Sequence, residues 1–342
     1  MKLEGLLYQD KNKGLKEAFF KEEYLTQIRA LHGMMHRLVA RIEERLRQES
    51  EERDEVKQSD ALTRQAEYVS EFLQSMRDNY KDLTRPAPVS WSKIQQAQKE
   101  GNKDAVRAIQ ARGKRTGHWA VLVRPSWIPA HPQIETLKDC WSIVETSCVR
   151  SNGWEYPVVT RGARESGQDW VGATRTHQLE VESWRLSQKG LFAHMFPIWD
   201  DVEMSDGKPI HWPWDLPKDF APQHFLDVDV AIRTLTHVYR FAANLAGKAF
   251  APGDGVVEVT VCLTGTRDRV LMAWNDIRRL RDCYRATEPT LENTWRCPRE
   301  ELRSAPDGFA IKAAVWFFER FGWHEVSAEG LSQIQRSRFS AH

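Results

Sequence analysis

The sequence has no tryptophan in its first ninety residues, although the 342-residue chain carries fourteen. From Trp119 onward they recur regularly, with proline and glycine between them. Such a shift points to two regions built on different principles. Other absences narrow the function. The five cysteines, Cys140, Cys148, Cys262, Cys283 and Cys297, include no pair at C-x-x-C spacing. That argues against a zinc knuckle or disulfide scaffold and predicts reduced, buried thiols. No apolar run approaches the roughly 18 residues of a spanning helix. The opening "MKLEGLLYQDKNKG" has no apolar core or cleavage site of a signal peptide. A cytoplasmic location with no membrane partner is therefore expected. The net charge is only +1, so any pull toward nucleic acid must be local. There is no G-x-x-x-x-G-K-[ST], no G-x-G-x-x-G after a strand and no G-x-S-x-G, which argues against nucleotide binding on a glycine-rich loop. No cofactor is expected.

What stands in the first region reads as helix. Between Gly33 and Pro86 there is neither glycine nor proline. Ile28, Leu31, Met35, Leu38 and Ile42 recur at helical spacing, and so do Leu62, Ala66, Val69, Leu73, Met76, Tyr80 and Leu83. The polar stretch "RQESEERDEVKQSD" lies between them. Residues 1–85 are thus predicted to form a helical hairpin or coiled-coil arm, with Ser59 or Asp60 capping the second helix. A sustained seam of this kind serves either a partner chain or the protein's own second region. Leu62, Val69, Leu73, Met76 and Tyr80 are the candidate partner-binding residues.

Residues 86–118 read as a basic linker. "RPAPVS" excludes helix at its start. Seven basic residues from Lys93 to Arg115 stand against Glu100 and Asp104, an excess of +5. Lys103, Arg107, Arg112, Lys114 and Arg115 are candidates for tracking phosphates, against the alternative of a solvated tether. A second basic set is Arg278, Arg281 and Arg285 in "DIRRLRDCYRA", predicted as a helix, with acidic neighbours that also fit plain surface ion pairing.

From residue 119 strands and helices alternate without a regular βαβ cadence, so residues 119–342 are predicted as an α+β module with a mixed or antiparallel sheet. "WAVLVRP" and "LEVESWRL" read as strands, and "EVTVCLTG" with "RVLMAW" as a hairpin turning at Gly265 to Asp268. "IETLKDCWSIVETSCVR" reads as a helix, "DVDVAIRTLTHVYRFAANLAG" as a helix closed by Gly247, and "FAIKAAVWFFERFGW" as one ending near Gly322. Leu191 to Trp199 is apolar at nearly every position, which predicts a strand covered on both faces. His194 within it reads as a hydrogen-bonded core residue, and Asp200 and Asp201 as turn aspartates. An enzyme would have to draw on His194, Asp200, Asp201 and Glu258. "HGMMH" sets His32 and His36 four apart but lacks the glutamate and third ligand of a zinc site. In "HFLDVD", with His224 at its head, Asp227 or Asp229 is expected to cap the following helix. The residues therefore give no catalytic set and no metal site.

The second region resembles the C-terminal module of bacterial AlbA/Schlafen-like DNA-binding proteins. The shared landmarks are "GWEYP" (Gly153 to Pro157), "DWVG" (Asp169 to Gly172), "LEVESWRLSQKGLFAHMF" (Leu179 to Phe196), "TLTHVYRFAANLA" (Thr234 to Ala246) and "IKAAVWFFERFGW" (Ile311 to Trp323). None is catalytic, and the AlbA-like domain itself is not found here. The resemblance implies a module attachable to different front ends, working as a sensor or adaptor in bacterial conflict systems such as anti-phage defence. The expected function is a non-catalytic subunit that binds nucleic acid or a partner protein within a larger assembly. The alternatives are a metal-dependent hydrolase or nuclease, and a purely structural adaptor between proteins.

Overall fold

The protein is described by a computed structural model over residues 39–41, 58–84, 95–96, 99–101, 117–151, 154–160, 162–177, 180–203, 225–250, 255–273, 280 and 283–339. The chain divides into two compact units between Tyr68 and Val69. The division falls inside one helix, α1, which runs through residues 58–83. The polar bend and the first seam of the expected arm lie outside the described residues.

The second unit is α+β, as the alternation of patterns predicts. Its centre is one sheet of seven strands: β1 (His118–Pro125), β4 (Ala163–Ser166), β5 (Trp170–His177), β6 (Glu180–Ser187), β7 (Phe192–Pro197), β9 (Val256–Thr264) and β11 (Thr290–Pro298). Their order is β11-β9-β1-β7-β6-β5-β4, and every neighbouring pair is antiparallel. Two short pairs stand apart: β2 (Val149–Ser151) with β3 (Trp154–Tyr156), antiparallel, and β8 (Phe225–Asp227) with β10 (Val270–Met272), parallel. The helices after α1 are α2 (Leu137–Ser147), α3 (Trp199–Glu203), α4 (Val228–Ala249), α5 (Arg299–Ser304), α6 (Pro306–Arg320) and α7 (Ala328–Phe339).

Side chains alternate across the pleat, so each strand serves two faces. Val121 of β1 lies opposite His194 of β7 and Val261 of β9, which sets these three on one face. That inner face carries Trp119, Val123, Phe192, Phe196, Val259 and Leu263, all buried. α4 lies among these residues; its Phe241 ring is 4.5 Å from that of Phe192. Phe317 of α6 meets Trp119 edge to face at 5.5 Å. β7 is buried at every position, as a strand covered on both sides must be.

The cover of the other face comes from α1. Phe72, Met76 and Tyr80, four residues apart, are buried. The Tyr80 ring lies 5.2 Å from His118, and Ser75 Oγ accepts a 2.6 Å hydrogen bond from Arg185 of β6. Leu73 and Met76 face Ala120, Leu122, Ala193 and Met195 across a cavity of about 140 Å³. The buried stripe is thus rotated from the expected seam. Phe72 joins it, Val69 and Leu73 are half-buried, and Leu62 and Leu83 are 53% and 40% exposed. Period alone could not place the stripe, because α1 has apolar residues on either side of it.

Three further expectations differ from the structure. β9 and β10 do not form a hairpin. Positive φ at Gly265 (68°) and Asp268 (64°) turns the chain out of the sheet, and the Arg269 side chain anchors it inside. The end of "DIRRLRDCYRA" is not helical. Its backbone runs beside β10, with Leu271 N–H donating to Tyr284 O at 2.9 Å and Ala286 N–H to Arg269 O at 3.0 Å. These bonds satisfy the free edge of β10, which a helix could not do. Nor does Gly247 close α4, because Ala249 and Phe250 beyond it still reach the core. By contrast α6 ends as expected: Gly322 has φ 88°, and Trp323 N–H returns to Phe318 O at 3.1 Å. Among the described residues no helix is long and apolar enough to cross a membrane.

Met76 is 1% exposed, so Met76→Ala should destabilise the chain measurably. The adjoining cavity already denies it some neighbours, which puts the cost near the lower end of such truncations, about 2 kcal/mol. Leu62→Ala should change stability by less than about 0.5 kcal/mol. Urea unfolding of the two variants checks both.

Candidate ligand cleft beneath helix α4

The opening hydrophobic logic of β6 contains one exception. Trp184 and Leu186 point inward, and by the same parity so does Glu182. Its carboxylate is 5% exposed and accepts two hydrogen bonds at 2.9 Å, from Val158 N–H and from His194 Nε2. Nε2 therefore carries a proton, and the other ring nitrogen is His194 Nδ1. That nitrogen has no hydrogen-bond partner among the described residues. His194 is the hydrogen-bonded core residue the sequence suggests, and Glu182 is the partner that went unnoticed.

Tyr156 at the end of β3 sits against the same imidazole, 4.8 Å between ring centres. Its hydroxyl is also buried and unpartnered among the described residues. Burial, and behind it the Glu182 carboxylate, push this phenol well above its ordinary pKa. Across from it His237 of α4 lies 2.6 Å from Ser151 Oγ. Burial first, then Arg233 and Arg240, hold this histidine down to about 3. A serine touching a histidine suggests nucleophilic catalysis, but a base so weak takes up almost no proton near neutral pH. Among the described residues no carboxylate is hydrogen-bonded to its ring. Trp154, Trp199 and Arg233 stand at the rim, the guanidinium 4.1 Å over the Trp154 ring. With Tyr156, Glu182, His194 and His237 they line a narrow cleft that has room for about one water molecule.

A second buried polar cluster lies past the end of β7. Arg269 and Asp201 form a two-pronged pair at 2.5 and 2.8 Å, with side chains 1% and 0% exposed. The arginine also donates to Phe225 O and Gly265 O, each at 2.7 Å, and Asp201 accepts from Gly117 N–H at 2.8 Å. A Cβ on Gly117 would stand 2.5 Å from Ile198 and 2.8 Å from Arg269, so glycine is required at this approach. Asp200 accepts from Asp227 N–H at 3.0 Å, while Asp227 caps α4 through Val230 N–H at 2.9 Å. Burial, then the neighbouring Asp227, raises Asp200 to about 8. Burial likewise raises Asp227 to about 7.

The four residues an enzyme would need do not share a site. His194 is bonded to Glu182, Asp201 to Arg269, and Asp200 to the Asp227 amide. Glu258 sits on the outer face, between Arg124 at 2.5 Å and Arg296 at 3.4 Å. Among the described residues no three His, Cys, Asp or Glu side chains converge on a point that could hold a metal ion. Asp229 does not cap α4 but pairs with Arg338 at 2.5 Å. Four of the cysteine thiols are partly or wholly buried, and burial raises each to about 12. Cys283 is exposed.

Of the candidate nucleic-acid residues, Lys103, Arg107, Arg112, Lys114, Arg115, Arg278 and Arg281 lie outside the described residues, as do His32, His36 and His224. Arg285 is described: it is 55% exposed and 3.9 Å from Asp268. Of the candidate partner-binding residues, Met76 and Tyr80 are committed to the protein's own sheet. Comparison of the chain with protein-family models, curated proteins and solved structures gave no match.

The buried titratable groups give a pH profile. Asp200 and Asp227 have folded pKa values raised above the ordinary 3.8, to about 8 and 7. Their contribution is full below 3.8 and is lost as the pH rises to those values. His118 and His237 have folded values lowered from 6.5, to about 4 and 3, chiefly by burial. Their contribution is full above 6.5 and is lost as the pH falls. The two pairs oppose each other from roughly pH 4 to 6.5, and the aspartates act alone above that. Thermal unfolding should therefore show a nearly level midpoint in the lower range and a fall between about pH 6.5 and 8. Asp200→Asn, which retains an acceptor for the Asp227 amide, should make that fall shallower.

Proposed function

We propose that the chain is a non-catalytic subunit that joins a larger bacterial assembly, its N-terminal arm binding a partner protein. The observation that carries this is the placement of exposed apolar side chains. Among the described residues four large hydrophobic side chains are exposed, and Val39, Leu62 and Leu83 are three of them. All three belong to the N-terminal helical region, and the fourth, Trp127, to the Trp-rich module. Where such side chains form one patch they mark contact with another chain. The resemblance to modules attached to AlbA-like front ends supports the same reading, with anti-phage defence as the setting. The arm here takes the place of that front end.

Replacing Val39 and Leu62 with Glu tests the proposal. Both are exposed, so the variant should keep the wild-type circular dichroism and unfolding midpoint. Light scattering should show the wild type as a dimer or larger complex, alone or with its neighbouring gene products, and the variant reduced in mass. A wild type that is a lone monomer in both settings sinks the idea.

Nucleic acid is the second element of the proposal, carried by the excess charge between Lys93 and Arg115. Four to six phosphate contacts would give a log–log salt slope of roughly −3 to −5 on duplex DNA. Changing Arg112, Lys114 and Arg115 to Glu should weaken binding on every sequence and flatten that slope. Unchanged binding by the triple variant would leave the protein as an adaptor between proteins.

A further inference from the structure

The sheet ends differently at its two margins. β4, at one of them, has four residues. A short strand is one way a fold blunts an edge whose backbone groups would otherwise pair with another chain. β11, at the other margin, has nine residues and pairs with β9 at each of them, with no bulge. Among the described residues no strand pairs with its far side. The ladder shows which backbone groups are left over. Arg299 N–H, one step past the strand, donates to Gly255 O at 2.9 Å. Bonding direction alternates along an antiparallel strand, so the odd-numbered residues of β11 bond β9 and the even-numbered ones point away. The far side of β9 agrees. There Ser126 N–H donates to Val256 O at 3.0 Å, which gives the even positions of β9 to β1 and its odd positions to β11. The backbone groups of Thr290, Glu292, Thr294 and Arg296 therefore face outward, and all four residues are exposed. Pro298, without an N–H, interrupts the row only at its end.

We infer that this edge binds a second copy of the chain, β11 against β11, antiparallel about a two-fold axis at Thr294. The side chains select that register. With Thr294 opposite its own copy, Glu292 of each chain stands across from Arg296 of the other. Opposite charges directly across an antiparallel pair attract, and like charges repel. Sliding one chain by two residues sets Glu292 against Thr294 or Pro298 and loses both ion pairs. A parallel arrangement sets each charge beside its own kind. The backbone fits the same register. Thr294 N–H of each chain reaches Thr294 O of the other, Glu292 and Arg296 exchange both bonds, and Thr290 N–H meets the Pro298 carbonyl. Arg296 lies 3.4 Å from Glu258 of its own chain but is 70% exposed, so its guanidinium has room for a second carboxylate. On the inner side Trp295 and Trp316 are half-buried, with rings 5.8 Å apart. A second sheet joined at this margin takes more of their surface from water. The contact is isologous, as a two-fold dimer requires. It lies wholly within the second unit and does not depend on the arm or the linker.

Sedimentation velocity of the full chain tests this at concentrations up to about 100 μM, since an edge-to-edge contact is small. The wild type should pass from monomer to dimer as concentration rises. Glu292→Arg and Arg296→Glu should each weaken the dimer at least about tenfold, because each sets like charges together twice. Both positions are exposed, so circular dichroism and the unfolding midpoint should stay at wild-type values. Mixed in equal amounts, the two variants should dimerise again, since one chain is then positive at both positions and the other negative. Thr294→Pro, which removes the central donor without touching a bond to β9, should weaken the wild-type dimer by about tenfold or more. A wild type that is monomeric throughout overturns the inference. So does a dimer of unchanged strength in both charge variants, or a mixture of the two folded variants that does not associate. The variant with Glu at Val39 and Leu62 should keep this dimer, and its loss there would assign the contact to the arm and overturn the inference as well.

Discussion

Two adjacent strands, β1 and β7, carry apolar side chains on both faces, and this is the constraint on which the remaining structure depends. A sheet of that composition cannot leave either surface to water. Burying a leucine- or phenylalanine-sized side chain is worth roughly 1.5–3 kcal/mol, and the two strands present many such groups. The inner face receives α4 and α6, whose aromatic residues interdigitate with Trp119 and Phe192. The outer face receives α1. A helix that begins in the N-terminal region thereby becomes part of the module's core through Phe72, Met76 and Tyr80.

Two clusters of ionisable groups inside this core are accommodated in different ways. Asp201 and Arg269 neutralise each other, and their remaining donors and acceptors go to Gly117, Gly265 and Phe225. A buried pair is stable only when such secondary bonds exist, since desolvating each ion costs several kcal/mol. Asp200 and Asp227 have no such counter-ion at hand among the described residues, and burial raises both carboxyls above the ordinary carboxylate range. The cleft differs from both clusters. There Glu182 and His194 bond each other, while His194 Nδ1 and the Tyr156 hydroxyl are buried with no hydrogen-bond partner among the described residues.

Much of the fold was legible from periodicity. The apolar run around His194, the amphipathic period of α4 with its aspartate cap, and the glycine at the end of α6 each follow a local rule and stand as expected. The hairpin at Gly265 failed because a turn signal says that the chain reverses, not which strand it meets. Arg269, bonded to Asp201 across 68 positions, decided that. The cleft was half legible. His194 was visible as an odd residue in an apolar run, but Glu182 looked like an ordinary polar position in an alternating strand. Its parity with Trp184 and Leu186 was the available signal. Tyr156, Ser151 and His237 come from β3, β2 and α4, and only the tertiary arrangement brings them together.

The docking of α1 also decides what holds the protein together. Phe72, Met76 and Tyr80 precede residues 86–116 in the chain, while the surface they cover is built from strands that follow. Attachment of the helix rests on that buried contact as well as on the peptide backbone. The helix is therefore held to the sheet by side-chain packing that does not depend on the chain between them.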